Sequence, residues 1–263
     1  MLRVDELLSY QSETTFPDAD SADLSTIRET FVPTSETVDL CSRVLWRLSS
    51  FPTPQPGAFL ITGRPGVGKT HLIRQIGGLL ANPSDPAWDR LRHLIQDLTP
   101  PDRQLKVLRI DVPPDPGLNV GSFLIERLTG SDWAEAAAYF QEVDEADFAE
   151  LIAEVAATLS TYSVGLLSLE NISRRIDNCT DRSRLELEIR FYKNLCEAFA
   201  AQGILVVLIA DEKHVRPERG RSLAAPLDSL AKSCDFLWLS TKNITQIIAS
   251  SVARKDARQR SEI

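Results

Sequence analysis

A stretch of eight residues, rich in glycine and ending in lysine and threonine, constrains the fold of this chain more than any other feature. It reads Gly63-Arg64-Pro65-Gly66-Val67-Gly68-Lys69-Thr70, and its spacing fits the pattern G-x-x-x-x-G-K-[ST]. Because glycine lacks a Cβ atom, successive backbone N–H groups of such a loop can turn inward toward one anion. The lysine adds a compact positive charge, and the threonine hydroxyl is an oxygen ligand suited to Mg²⁺. The pattern therefore predicts a phosphate-binding loop formed by all eight residues.

The residues on either side of this loop have the hydrophobic patterns of a strand and of a helix. The run 58–62 is apolar, has the length of a strand and ends at the first glycine. After the loop, apolar residues recur at helical spacing, at Leu72, Ile73, Ile76, Leu79 and Leu80. Strand, loop and helix in this order are the context that a phosphate-binding loop requires, and the helix would direct the positive end of its dipole at the phosphates.

Another apolar run ends in two carboxylates. Residues 204–210 are leucine, isoleucine, valine and one alanine, which is typical of a strand buried on both faces. Asp211 and Glu212 follow directly. Beside a phosphate-binding loop, we expect Asp211 to hold Mg²⁺ through water and Glu212 to orient and polarise an attacking water. The alternative is a turn acid beside a solvated neighbour.

These motifs together resemble those of the AAA+ ATPases. The loop 63–70 is similar to their Walker A element, and the pair 211–212 is similar to their Walker B element. Leu239-Ser240-Thr241-Lys242-Asn243 is similar to their sensor strand, and Phe31-Val32-Pro33 resembles the segment that contacts adenine. The resemblance covers roughly residues 30 to 260.

The resemblance implies a site that binds ATP with Mg²⁺ and hydrolyses it. Its catalytic residues would be Lys69 on the phosphates, Glu212 as the base and Asn243 as the sensor. The metal would be held by Thr70 and Asp211. No N-K-x-D guanine motif is visible in the sequence, which favours ATP over GTP.

The expected fold is α/β, a P-loop NTPase (AAA+-like) parallel sheet flanked by helices. Residues 1–30 are polar and acidic and are interpreted as a flexible arm. Residues 31–263 would form the nucleotide-binding domain, with a second strand over 104–112. Residues from about 114 to 202 are predicted to be an all-helical insert before the Walker B strand, suited to recruiting a protein partner.

The end of the chain departs from the family pattern. AAA+ modules continue beyond the sensor strand into a fifth strand, which lies beside the phosphate-loop strand, and then into a helical lid. Only about one helix follows Asn243 before the chain ends at Ile263, so the fifth strand and the lid are expected to be missing. Either the chain is an amino-terminal piece of a longer protein, which we favour, or the fold has lost these parts. An arginine finger for a neighbouring subunit could come from Arg254, Arg258 or Arg260; the alternative is a solvated helix end.

Composition excludes several classes of protein. The formal net charge of −8 argues against a generally basic nucleic-acid-binding surface, although it does not decide whether the chain touches DNA locally. No apolar stretch is long enough to span a bilayer, and no secretory signal opens the chain. The four cysteines and three histidines are scattered, so we expect reduced thiols, no zinc site and a cytoplasmic location.

Two functions follow from these observations. The first is an ATPase module in a homo-oligomer or a larger assembly that acts on DNA or in phage defence. The segments 31–34 and 71–74 are weakly similar to the large ATPases of bacterial phage-exclusion (BREX-type) systems, and equally to loader and transposition-regulator ATPases that act on DNA. The alternative is a nucleotide-binding interaction module with little or no hydrolysis. A small-molecule kinase ranks third, because a strand ending in two acids suits hydrolysis better.

Overall fold

A computed structural model describes most of the residues between 32 and 246. The described residues are 32–49, 57–82, 84, 86, 89–95, 105–129, 152–153, 155–157, 159–161, 163–215, 226–242 and 246. Predictions for the arm 1–30, Phe31, Asn243 and the arginines at 254, 258 and 260 lie outside these residues.

The described strands and helices alternate along the chain. The strands are β1 (Ala58–Gly63), β2 (Lys106–Asp111), β3 (Val164–Glu170), β4 (Leu205–Asp211) and β5 (Asp235–Leu239). The helices are α1 (Ser35–Ser49), α2 (Lys69–Ala81), α3 (Asp89–Leu94), α4 (Val120–Thr129), α5 (Ile172–Asn178), α6 (Arg182–Ala201) and α7 (Asp228–Ala231), and a 3₁₀ turn covers Glu212–His214. Several residues between 152 and 161 are also helical.

The five strands form one parallel sheet in the order β2-β3-β4-β1-β5. Helices cover both of its faces, so the side chains of the central strands alternate between two cores. In β4, Leu205 and Val207 pack in the core that contains α1 and α2, whereas Val206 and Leu208 pack in the core that contains α6. This burial on both faces explains the continuous apolar runs of β1 and β4 and confirms the predicted parallel α/β sheet.

The prediction of an all-helical segment over 114–202 is wrong, because this segment contains β3. All seven residues of β3 are buried, and the strand pairs with β2 on one side and β4 on the other. A short apolar run buried on both faces cannot be distinguished from a buried helix by periodicity alone. The structure shows why residue 165 within β3 is a glycine: a Cβ atom there would lie 2.6 Å from Cδ1 of Leu105.

Because β3 was not predicted, the last described strand, β5, is the fifth strand of the sheet and not the fourth. β5 pairs in parallel with β1 from Phe59↔Asp235 to Gly63↔Leu239, so it lies at the sheet edge beside the phosphate-loop strand. The expectation that this edge lacks a strand is therefore wrong, and so is the comparison of residues 239–243 with a sensor strand. β5 is the fifth strand of the sheet, and β4, which carries Asp211, is the strand before it.

Helix α1 is held against β5 at both of its ends. At its start, the hydroxyls of Thr34 and Thr37 accept hydrogen bonds from each other's backbone N–H groups, at 3.2 and 2.8 Å. Glu36 accepts a hydrogen bond from the backbone N–H of Ser240 at 2.8 Å, and Arg47 pairs with Asp235. The segment that begins at Val32 therefore lies at the carboxyl end of the sheet.

Other predictions from composition can be compared with the described residues. None of the described helices has the length and apolar character needed to cross a membrane. The cysteines are all free thiols, and Cys41, Cys196 and Cys234 are buried. Burial raises the pKa of Cys41 to about 12, so this thiol stays protonated and unreactive at neutral pH.

A buried ion pair joins α5 to α6 and fixes the loop that follows β2. The guanidinium of Arg175 is 1% exposed and donates to Glu188. It also donates to the backbone carbonyls of Pro113, Asp115 and Leu118 at 3.1, 2.6 and 2.6 Å. The single arginine therefore satisfies three loop carbonyls and one helix acid.

We expect Arg175→Met to lower the free energy of unfolding by about 3–5 kcal/mol, because the buried Glu188 carboxylate loses its hydrogen-bonded partner and keeps only the more exposed Arg184, 3.8 Å away. The double variant Arg175→Met/Glu188→Leu should recover at least half of this loss. Urea unfolding of both variants measures the difference. Equal stability of the single variant and the wild type would contradict a buried pair.

Candidate phosphate-binding site

The loop between β1 and α2 has the backbone conformation that its glycines predict. Gly66 and Gly68 adopt left-handed conformations, with φ of 79° and 94°, which side chains with a Cβ atom rarely take. Gly68 is the N-cap of α2, no side chain caps this helix end, and its first turn contains no acidic residue. No capping side chain therefore competes with an external anion at the start of α2.

The first glycine of the loop is required for a different reason. A Cβ atom at Gly63 would lie 2.4 Å from the backbone oxygen of Leu239, closer than any real contact. The end of β5 therefore packs directly against the start of the loop. The edge strand fixes the direction in which the chain leaves β1.

The ammonium group of Lys69 lies at the centre of the loop. It donates hydrogen bonds to the backbone oxygens of Gly63 and Arg64, at 2.9 and 3.0 Å, and to Oδ1 of Asp211 at 3.0 Å. These bonds use all three of its N–H donors. Its side chain is only 10% exposed, so the charge is already fixed at the position where phosphate oxygens would approach.

The two acids at the end of β4, Asp211 and Glu212, contact different cations of the loop. Asp211 lies beside Gly63 in the strand register, and its own backbone N–H donates to Oγ of Ser173 at 2.6 Å. This register places its carboxylate on Lys69. Glu212 turns toward Arg64, whose Nε lies 3.4 Å from Oε1 in a contact that is largely exposed. Both predicted acids therefore lie at the phosphate-binding loop.

Thr70 has a partner that the sequence analysis missed. Its hydroxyl donates to Oε2 of Glu170 at 2.7 Å, and Glu170 is the last residue of β3. Glu170 is 4% exposed, although it lies at a strand end. An apolar run ending in a carboxylate, the same signal that identified Asp211, could have indicated this residue.

Two further polar contacts link β2 to the end of β3. Arg109 donates to Oε1 of Glu170 from both Nε and a terminal nitrogen, each at 2.7 Å. Asn171 follows Glu170 and donates to Oδ1 of Asp111 at 3.0 Å. The side chains of β2 therefore extend the site to a strand that is separated from β1 by β3 and β4.

The arrangement is suited to a metal that is held together with phosphate. Among the described residues, no group of three histidine, cysteine, aspartate or glutamate side chains could bind a metal ion by itself. Mg²⁺ is usually bound by one or two carboxylates together with substrate phosphates and waters. The hydroxyl of Thr70, with Glu170 and Asp211 nearby on adjacent strands, provides oxygen ligands of this kind.

His214 lies in the turn that follows the two acids, and it is buried. Its Nε2 is 3.4 Å from Oδ1 of Asp177, so the contact is electrostatic rather than a hydrogen bond. Burial lowers the pKa of His214, and the nearby charge of Lys213 lowers it further, whereas Asp177 and Asp211 oppose the shift. The neutral imidazole is therefore favoured in the folded protein.

The fold of this chain is an α/β P-loop NTPase fold, defined by the parallel sheet, the loop 63–70 and the helix that follows it. No protein-family model matches the sequence, and no curated protein is significantly similar to it. Among solved structures, AMPPCP-bound DnaA from Aquifex aeolicus is similar, with a TM-score of 0.42 and 14% identity. The match covers 86% of this chain and 54% of that one, so the chain spans about half the length of that structure.

We expect Gly66→Ala to destabilise the protein by about 1–2 kcal/mol, the cost of a left-handed conformation for a residue with a Cβ atom. No atom lies within 4 Å of the added Cβ, so the cost is conformational rather than steric. Gly77→Ala is the matched control, because Gly77 is helical and its Cβ would make ordinary contact with Val107. This control should be neutral or more stable. Chemical denaturation that ranks the two variants in the opposite order would contradict the loop conformation.

We expect stability to fall as the pH is lowered through about 6.5, the ordinary pKa of histidine. The pKa of His214 is lowered on folding, so below that pH the unfolded chain binds more protons than the folded one, and protonation favours unfolding. His214→Gln should reduce the pH dependence of unfolding between pH 7 and about 5. His93→Gln, at an exposed position, is the control. An unchanged slope in the His214 variant would contradict the buried neutral imidazole.

Proposed function

We propose that this chain binds ATP with Mg²⁺ and hydrolyses it. The observation that carries the proposal is the pair of contacts at the start of α2. Lys69 is held by Asp211, and Thr70 is held by Glu170, so a cation and a hydroxyl are fixed next to a loop whose backbone is open to an anion. This combination fits a triphosphate bound with a metal.

Binding of the phosphates would begin by exchange at Lys69. Its ammonium uses all three donors within the protein, so a phosphate oxygen must replace at least one of the present acceptors. The N–H groups of the loop and of the first turn of α2 would donate to the remaining oxygens. The exchange keeps the charge of Lys69 compensated, because phosphate takes over the role of a protein acceptor.

Thr70 and Asp211 are the residues that we assign to Mg²⁺, and Glu170 is assigned with them. The hydroxyl of Thr70 donates a hydrogen bond to Glu170, so the lone pairs of its oxygen are directed away from that acid. Asp211 would accept from metal-bound water once phosphate draws Lys69 away. The metal would neutralise charge that develops on the phosphates.

Glu212 is assigned as the general base. It lies at the loop, next to Asp211, and its carboxylate is partly exposed, so a water molecule can reach it. The ion pair with Arg64 would have to open, and at 3.4 Å with an exposed arginine it is a weak one. Asn243 lies outside the described residues, and we assign it no role, because the position of β5 contradicts the comparison of residues 239–243 with a sensor strand.

The assembly in which this module works is also part of the proposal. We assign it to a homo-oligomer or a larger cytoplasmic assembly that acts on DNA, including phage defence, with a trans arginine from the region 254–260. The short similarities at 31–34 and 71–74 support this part. Residues between 114 and 202 other than β3, α5 and α6 would supply the surface for a protein partner.

We expect Mg²⁺-dependent ATP hydrolysis that is abolished by Lys69→Ala and reduced about 10²–10⁴-fold by Glu212→Gln, the usual range for a general base. Binding of ATP should persist in Glu212→Gln and weaken at least tenfold in Lys69→Ala, which loses a charge-assisted hydrogen bond. The measurement is phosphate release over a series of protein concentrations, with and without DNA. Lys213→Met, which removes a neighbouring cation that pairs with Asp177 instead, is the control.

The outcomes of this experiment separate the two candidate functions. Turnover that rises faster than linearly with protein concentration supports an active site shared between subunits. Tight ATP binding without turnover at any concentration favours the nucleotide-binding interaction module. Equal turnover by Glu212→Gln and the wild type would contradict the assignment of the base.

A further inference from the structure

Arg109 is a charged residue at this site that the proposed mechanism leaves without a role. It lies on β2, which is separated from the phosphate-loop strand β1 by β3 and β4. Its side chain is 25% exposed and directs two nitrogens at the same oxygen of Glu170, each at 2.7 Å. The other oxygen of Glu170 accepts from Thr70 at 2.7 Å.

These contacts join three residues, Arg109, Glu170 and Thr70, into a chain that runs from β2 to the start of α2. The side chain of Glu170 is 6% exposed, so its charge is largely removed from water and depends on protein donors. Arg109 provides a charge-assisted contact on one oxygen, which leaves the second oxygen to accept the hydroxyl proton of Thr70. Glu170 therefore links Arg109 on β2 to the hydroxyl of Thr70.

The contacts of Arg175 and Arg109 serve different parts of the structure. Arg175, which also pairs with a buried glutamate, donates to three loop carbonyls and so connects backbone segments. Nε and a terminal nitrogen of Arg109 converge on a single carboxylate oxygen, and that carboxylate accepts from the hydroxyl of Thr70, a residue assigned to the metal.

We propose that Arg109 is a positioning residue for Mg²⁺, acting through Glu170 on the hydroxyl of Thr70. The inference rests on the proposed function, because it concerns the metal that accompanies the nucleotide. Arg109 increases the factor by which Mg²⁺ tightens nucleotide binding, which we call the coupling. It contributes little to the affinity for nucleotide without metal. Outer partners of metal ligands commonly change metal affinity about 10–100-fold when they are removed.

The test uses the whole chain and a fluorescent, non-hydrolysable ATP analogue, so turnover plays no part. Its Kd is measured in EDTA and in saturating Mg²⁺, and the ratio of the two values gives the coupling. Arg109→Met should reduce this ratio at least about tenfold and leave the Kd in EDTA within about twofold of the wild type. Arg109→Lys keeps the charge but loses the two-nitrogen contact, and should restore part of the ratio.

Two further variants make the result specific. In a Glu170→Gln background, Arg109→Met should cause no additional loss of coupling, because its effect passes through that carboxylate. Arg182→Met removes an arginine from an exposed pair with Glu186 and should leave both Kd values unchanged. Thermal unfolding checks that each variant folds; if Arg109→Met does not, Arg109→Lys and Arg109→Met/Glu170→Gln provide the comparison.

The outcomes distinguish this inference from the proposed function. If the wild type binds the analogue with coupling to Mg²⁺ but Arg109 variants change both Kd values equally, the positioning role is overturned and the proposed function stands. Additive effects of Arg109→Met and Glu170→Gln would overturn it in the same way. A wild type that binds no analogue, or binds it equally after Lys69→Ala, would overturn the proposed function and this inference with it.

Discussion

The position of one ammonium group, that of Lys69, determines how the rest of the site is arranged. Two carbonyls of its own loop and the carboxylate of Asp211 hold it, and the side chain is almost fully buried. These contacts require the loop to curl around the lysine and require β4 to lie beside β1, so that Asp211 and Gly63 are paired. The strand order of the sheet is therefore directly connected to the charge balance of the phosphate-binding loop.

The carboxyl edge of the sheet divides its acids between neighbouring cations and the hydroxyl of Thr70. Asp211 compensates Lys69, Glu212 faces Arg64, and Glu170 lies between Arg109 and Thr70. Each of these three carboxylates thus has a partner within the protein. A triphosphate and its metal would compete with these internal partners, because both bring charges that the same side chains can bind.

Much of this could be predicted from the sequence, and the reasons differ between residues. The loop 63–70 was predictable because its function depends on residue types at fixed spacing, and Asp211 because it ends an unusually continuous apolar run. β3 was missed because seven buried residues carry no period that separates strand from helix. Glu170 was missed with it, and Arg109 could not have been found at all, since its role depends on a pairing between β2 and β3 that only the fold provides.

Calorimetric titration of the protein with ATP in the presence of Mg²⁺, compared with the same titration of Lys69→Met, tests the central claim most directly. Methionine keeps most of the buried side-chain volume and removes only the charge. The account predicts saturable binding to the wild type and at least a tenfold loss of affinity in the variant, with both proteins folded. Equal affinity in the two proteins, or no binding to the wild type, would contradict the assignment of this loop to nucleotide phosphates.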